Sequence, residues 1–156
     1  MPDRLCPRLL TVTDGEVAER VSARMARQAI LARDTPPMGW WVIEESVLTR
    51  RIGSAKIMYE ALMHLAVVSR RPRVCVQVLT DAGGHVGLQG SFSIAEQAGA
   101  RTTVYVEDIT DGRVTDDGGT VNAVSVRFRW LQTQALSAEA STDLIERLAE
   151  ERWNTP

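Results

Sequence analysis

Cysteine is scarce. Cys6 and Cys75 are the only two in 156 residues, far apart and in unlike surroundings. A disulfide framework is therefore not expected, and the reading is a reducing cytoplasm. Cys75 falls inside the apolar run Val74–Leu79 and reads as a small hydrophobe. No apolar run approaches the ~18 residues that a membrane span needs. No secretory pattern follows Pro2, Asp3 and Arg4. A dominant charge is missing too: 18 Lys and Arg against 20 Asp and Glu leave a formal net charge of −2. Duplex binding draws most of its affinity from phosphate contacts, so direct nucleic-acid binding is not expected. Histidine occurs only at positions 64 and 85, with no Cys or carboxylate at ligand spacing. Neither a metal site nor a cofactor is expected.

What remains is ordinary globular material. Hydrophobic residues make up 44% and charged residues 24%, enough for a packed core at this length. Residues 1–12 read as an irregular segment and residues 13–153 as a single domain. Thr13-x-x-Glu16 is a capping box and opens a helix reaching about Ala32. Thr35-Pro36-Pro37 stops it, because proline cannot continue the ladder. Residues 40–43 are aromatic and β-branched and predict a strand; residues 44–49 predict a short helical turn. Ser54 caps a second helix, whose expected apolar face is Ile57, Met58, Ala61, Leu62, Leu65 and Val68. Further strands are expected at Val74–Leu79, 91–95, 102–106 and 113–115. Turns are expected at Asp111-Gly112 and over 116–119. Val121, Val124, Phe128, Leu131 and Ala135 mark a third helix, and Ser137 caps a fourth. Grouped strands flanked by helices predict an α+β fold: a small antiparallel sheet of four to five strands with about four helices.

Several short motifs agree in order and spacing with a known pattern. Val42-Ile43-Glu44-Glu45-Ser46-Val47-Leu48, Arg51-Ile52-Gly53-Ser54 and His64-Leu65 open it. Val76-Gln77-Val78-Leu79, Ala82-Gly83-Gly84-His85 and Gly87-Leu88-Gln89-Gly90-Ser91-Phe92 continue it, and Ala135-Leu136-Ser137 with Ser141 complete it. Over about residues 16–150 the chain resembles the C-terminal domain of actinobacterial antitoxin-like regulators, whose N-terminal half is a Cro/repressor-type helix-turn-helix. The resemblance implies an effector or interaction domain. The DNA reader itself has no counterpart here. Thr80-Asp81 stands where the family usually has Pro-Phe, and Ala61 where glutamine is common.

Candidate chemistry is sparse. The segment 83–90 is not a phosphate loop, since it lacks a Gly-Lys-Ser/Thr ending and a strand, not a helix, follows it. No Gly-x-Ser-x-Gly elbow occurs. Histidine is the usual acid–base group near neutral pH, and His85 sits in the glycine-rich segment. Glu44 directly follows an aromatic strand. With Tyr105 these form the candidate catalytic set. The adjacent Trp40 and Trp41 must point to opposite sides of their strand, and one is expected in the helix-facing core.

Two readings follow. In the first, the chain binds a hydrophobic small molecule in a pocket lined by Trp41, Met58, Ala61, Met63, Leu88 and Phe92. Its enzymatic form is a cofactor-free cyclase or isomerase acting on a polyketide-like natural-product precursor by confinement and hydrogen bonding. In the second, it is a regulatory interaction or ligand-sensing domain. Both leave room for a homodimer.

Overall fold

The capping box forms as its residues require. Glu16 N–H donates to Thr13 Oγ1 at 3.3 Å, and Thr13 N–H donates back to Glu16 Oε2 at 2.7 Å. This opens helix α1 (Asp14–Gln28), which tightens into a 3-10 turn at Ala29–Ala32. The computed structural model describes residues 13–80, 83–107 and 112–154. The chain divides into two units, Met1–Met38 and Gly39–Pro156. In the first unit no α1 residue is buried, and Val17, Val21 and Met25 are exposed along one stripe.

The second unit opens with strand β1 (Gly39–Glu44), the short helix α2 (Glu45–Thr49), helix α3 (Ala55–Ser69) and strand β2 (Val74–Leu79). β1 and β2 pair in parallel, with Trp40 beside Cys75 and Ile43 beside Val78. Strands β3 (Phe92–Ala95), β4 (Thr103–Glu107) and β5 (Gly112–Thr115) form a separate antiparallel sheet. The α+β class is therefore correct, but the expected single antiparallel sheet is two sheets. The reason is the connection. Parallel strands need a crossover of roughly a dozen residues or more, and residues 45–73 supply one carrying α2 and α3. Helices α4 (Gly118–Gln134) and α5 (Ala138–Leu148) follow, and α5 runs into a π-helical turn, Ala149–Trp153. Asp81, Ala82 and Asp111, which enter the motif and turn readings above, lie outside the described residues. Among the described residues, no helix is long and apolar enough to cross a membrane.

The core joins β2 to α3, α5 and α2. Val76 and Val78 meet Met58, Leu62 and Ala66 of α3 and Leu144 and Ile145 of α5, with Leu48 and Trp153 closing the end. The buried stripe of α3 is thus Met58, Leu62 and Ala66, spaced i, i+4, i+8. The expected face was rotated: Ala61 and Ile57 are exposed. α3 is apolar nearly all round, so hydrophobic spacing alone does not choose its inner face.

The far edge of β2 is bonded at Val78 by its own chain, and Val76 beside it is buried. Leu136 N–H donates to Val78 O at 2.9 Å, and Gln77 Nε2 donates to Leu136 O at 2.9 Å. Val78 N–H donates to Ser141 Oγ at 2.9 Å, and that hydroxyl donates to Ser137 O at 2.7 Å. Ser141 is fully buried with both hydroxyl functions used. A helix side chain here replaces a missing strand.

α4 begins earlier than the sequence suggests. Residues 116–119 read as a turn, yet Asp117 is an N-cap that accepts from Thr120 N–H at 2.8 Å. The helix starts at Gly118, and its side chains pack on the antiparallel sheet, where the Phe128 and Phe92 rings meet edge-to-face at 6.4 Å. The Thr120 backbone N–H, then its hydroxyl, hold the Asp117 carboxyl below its ordinary value. A depressed carboxylate contributes stability that is present above its unfolded pKa and lost as pH falls through the folded one. Asp117→Asn, which still caps but does not titrate, is expected to flatten the acid-side fall of the melting temperature. An unchanged acid limb would remove Asp117 from that account.

Candidate functional site

Two of the three candidate catalytic residues meet. Glu44 ends β1, and His85 precedes a 3-10 turn at Val86–Gln89. His85 Nε2 lies 3.3 Å from Glu44 Oε1, with the imidazole side chain only 8% exposed. Glu44 Oε2 accepts from Ser46 Oγ at 3.0 Å. On the other side of the ring, Gly87 N–H donates to Nδ1 at 3.1 Å. That bond fixes the tautomer. Nδ1 must hold the lone pair, so the proton of the neutral ring sits on Nε2, beside the carboxylate. The one lone pair that a general base needs is already holding a turn.

The turn is built for this. A Cβ on Gly87 would stand 2.9 Å from His85 Nδ1 and 3.0 Å from its Cε1. Gly90 closes the turn at φ 127°, a conformation that glycine alone adopts without strain. Gly87→Ala is expected to displace the imidazole and cost about 1–3 kcal/mol. Gly84 has nothing within 4 Å, and Gly84→Ala should stay within about 0.5 kcal/mol of the parent. Urea midpoints of the two variants compare them, and equal midpoints would remove the brace.

Tyr105 stands apart. On β4 it pairs with Ser93 and Val114, and these three share the outer face of the antiparallel sheet. Its ring lies back over Gly112, where any side chain would run into it. Val104, its neighbour on the strand, is fully buried on the inner face. No contact joins Tyr105 to Glu44 or His85 among the described residues.

The six predicted pocket residues also scatter. Met58 belongs to the core and Met63 packs against it. Ala61 is exposed on α3, outside the core that holds Met58. Phe92 is engaged with Phe128, and Leu88 is 63% exposed. Trp41 lies over Gly39, its ring occupying the space a Cβ there would need. A solvent-open depression of about 320 Å³ lies between the end of α3 and the start of α5, and none of the six borders it. The Arg70 guanidinium on its rim is already paired with Glu146. Among the described residues, no cluster of His, Cys, Asp or Glu is arranged to hold a metal ion.

A different feature stands out at β1. Trp40 and Trp41 remain 49% and 42% exposed, so neither joins the core as expected for one of them. Gly39 N–H donates to Arg73 O at 2.8 Å, toward β2. Backbone groups alternate sides along a strand. Gly39, Trp41 and Ile43 therefore bond to β2, while the N–H and C=O of Trp40 and Val42 point the other way. Those outward groups have no partner among the described residues.

The family model described as a domain of unknown function, DUF5753, matches residues 5–147. The chain belongs to the DUF5753 family. No curated protein and no solved structure matches it.

This DUF5753 domain thus treats the two edges of its parallel sheet in opposite ways. One is bonded at Val78 by Leu136 and Ser141 and buried at Val76. The other presents backbone groups unpartnered among the described residues, between two exposed indoles. Natural proteins usually blunt such an edge with charge, proline or a bulge. The DUF5753 strand Gly-Trp-Trp-Val-Ile-Glu has neither lysine nor proline, and its one carboxylate is turned to His85 and Ser46. Sequence reasoning missed this edge. The adjacent tryptophans were the available signal, but only the parallel pairing reveals which backbone groups stay open.

Proposed function

We propose that this DUF5753 domain is a regulatory interaction domain that recognises an extended polypeptide strand along β1. The open N–H and C=O groups of Trp40 and Val42 carry the reading. A row of alternating donors and acceptors matches another backbone, and main-chain bonds supply affinity in strand addition while side chains supply selection. Trp40 and Trp41 flank the row on opposite faces, and tryptophan is enriched where binding energy concentrates. The motif resemblance to C-terminal domains of antitoxin-like helix-turn-helix regulators supports a regulatory setting.

The geometry favours interaction over catalysis. The His85 lone pair and the Glu44 oxygens are engaged within the fold, and Tyr105 lies on the outer face of another sheet. The test uses a capped Thr-Val-Thr-Val-Thr-Val peptide as a strand probe, titrated into dilute, isotope-labelled protein. Amide shifts are expected at Trp40 and Val42 and not on α5. Val42→Pro removes an outward donor without touching the ladder to β2 and should abolish them. Shifts confined elsewhere, or none, would end this reading.

A further inference from the structure

We infer that the strand received by β1 is β1 of a second copy of this chain, paired antiparallel about a two-fold axis at Trp41. The inference rests on the reading of β1 as an interaction edge and adds its occupant and register.

Register follows from which backbone groups are open. In antiparallel pairing, residues that exchange bonds must both face outward. The outward residues are 40, 42 and 44. An axis at Val42 would set Trp40 against Glu44 of the second copy. Glu44 is the N-cap of α2, and an N-cap carbonyl already accepts the first bond of its helix. That register leaves the Trp40 N–H orphaned. An axis at Trp41 sets Trp40 against Val42 in both directions. Every outward N–H and C=O of these two residues then finds a partner, and Glu44 is not called upon.

Side chains agree with this register. Trp41 meets its own copy at a non-hydrogen-bonded site, where side chains approach closest and aromatic pairs add stability. Trp40 lies beside Val42 on the other face. No charged residue falls within the paired stretch, so no like charges oppose each other across the axis.

The other edge of the sheet favours a second copy over an open series. Each β2 is bonded at Val78 by Leu136 and Ser141, and its outward Val76 is buried. Joining two copies through β1 gives the strand order β2, β1, β1, β2, with each outer strand bonded at Val78 and buried at Val76 and Val78. A self-complementary edge used once and then exhausted is the pattern of an isologous dimer.

Sedimentation equilibrium of the full chain at rising concentration tests this. The expected result is a monomer–dimer equilibrium. Val42→Pro and Trp40→Lys should each shift it to monomer with an unchanged far-ultraviolet circular dichroism spectrum. The register is read separately by Trp41→Cys in a Cys6→Ser, Cys75→Ser background. Opposed residues at a non-hydrogen-bonded site lie about 4.5 Å apart at Cα, within disulfide range. Two thiols should pass their electrons and protons to oxidised glutathione and yield a covalent dimer, whereas Trp40→Cys in the same background should not. A monomer at every concentration overturns the self-pairing, while strand-probe shifts at β1 would still uphold the interaction reading. A dimer indifferent to Val42→Pro and Trp40→Lys also overturns it, because the contact then lies elsewhere.

Discussion

Trp153→Ala is expected to lose about 3–5 kcal/mol of unfolding free energy, the range for emptying a buried aromatic site. Trp153 is 6% exposed, and its indole N–H donates to Leu48 O at 2.9 Å. Leu48 is itself fully buried. The alanine variant therefore opens a cavity and orphans a carbonyl at the same point. Trp153→Phe separates the two effects. It keeps an aromatic ring in the core but removes the donor, and should cost about 1–3 kcal/mol, the range for a buried group left unsatisfied. Urea unfolding with an unchanged m-value measures both. A phenylalanine variant as stable as the parent would show that the bond to Leu48 adds nothing.

The second large effect concerns Ser141. Ser141→Val replaces a fully buried hydroxyl by a branched apolar group. Val78 N–H then loses its acceptor, for about 1–3 kcal/mol. The bulkier branched side chain overpacks a fully buried site, for a further ~1–3 kcal/mol. Ser141→Ala isolates the first part. Amide exchange at Val78 provides a local readout: protection should fall in both variants, since both remove the Oγ acceptor. Retained protection in Ser141→Ala would mean that another group takes over the bond.

Local chemistry was legible in the sequence wherever one residue speaks for one backbone group. Thr13, Ser54 and Ser137 cap helices as their types predict. Asp117 was missed because Gly118-Gly119 reads as a turn, and glycine in a first helical turn conceals the cap before it. The parallel pairing of β1 with β2 was missed because a strand does not carry its direction in its own residues. Only the intervening helix α3 does, and its significance lies in the connection. The same limit hid the contact between Glu44 and His85, which lie on segments far apart in the chain. Tyr105 was placed with them by residue type, whereas strand parity puts it on the outer face with Ser93 and Val114. Ala61 followed a spacing that fits more than one face of an apolar helix. Periodicity settles a face only when polar residues occupy the other.

The bond from Trp153 to Leu48 joins residues 105 positions apart. That separation sets a clock during synthesis. At roughly 5–20 residues per second, the ribosome adds Trp153 about 5–20 seconds after Leu48. α2, α3 and β2 emerge well before the piece that shuts their shared interior. Once β2 has emerged, Val76, Val78 and Leu48 still lack Leu144, Ile145 and Trp153 as cover, and the last turn, Ala149–Trp153, ends the exposure.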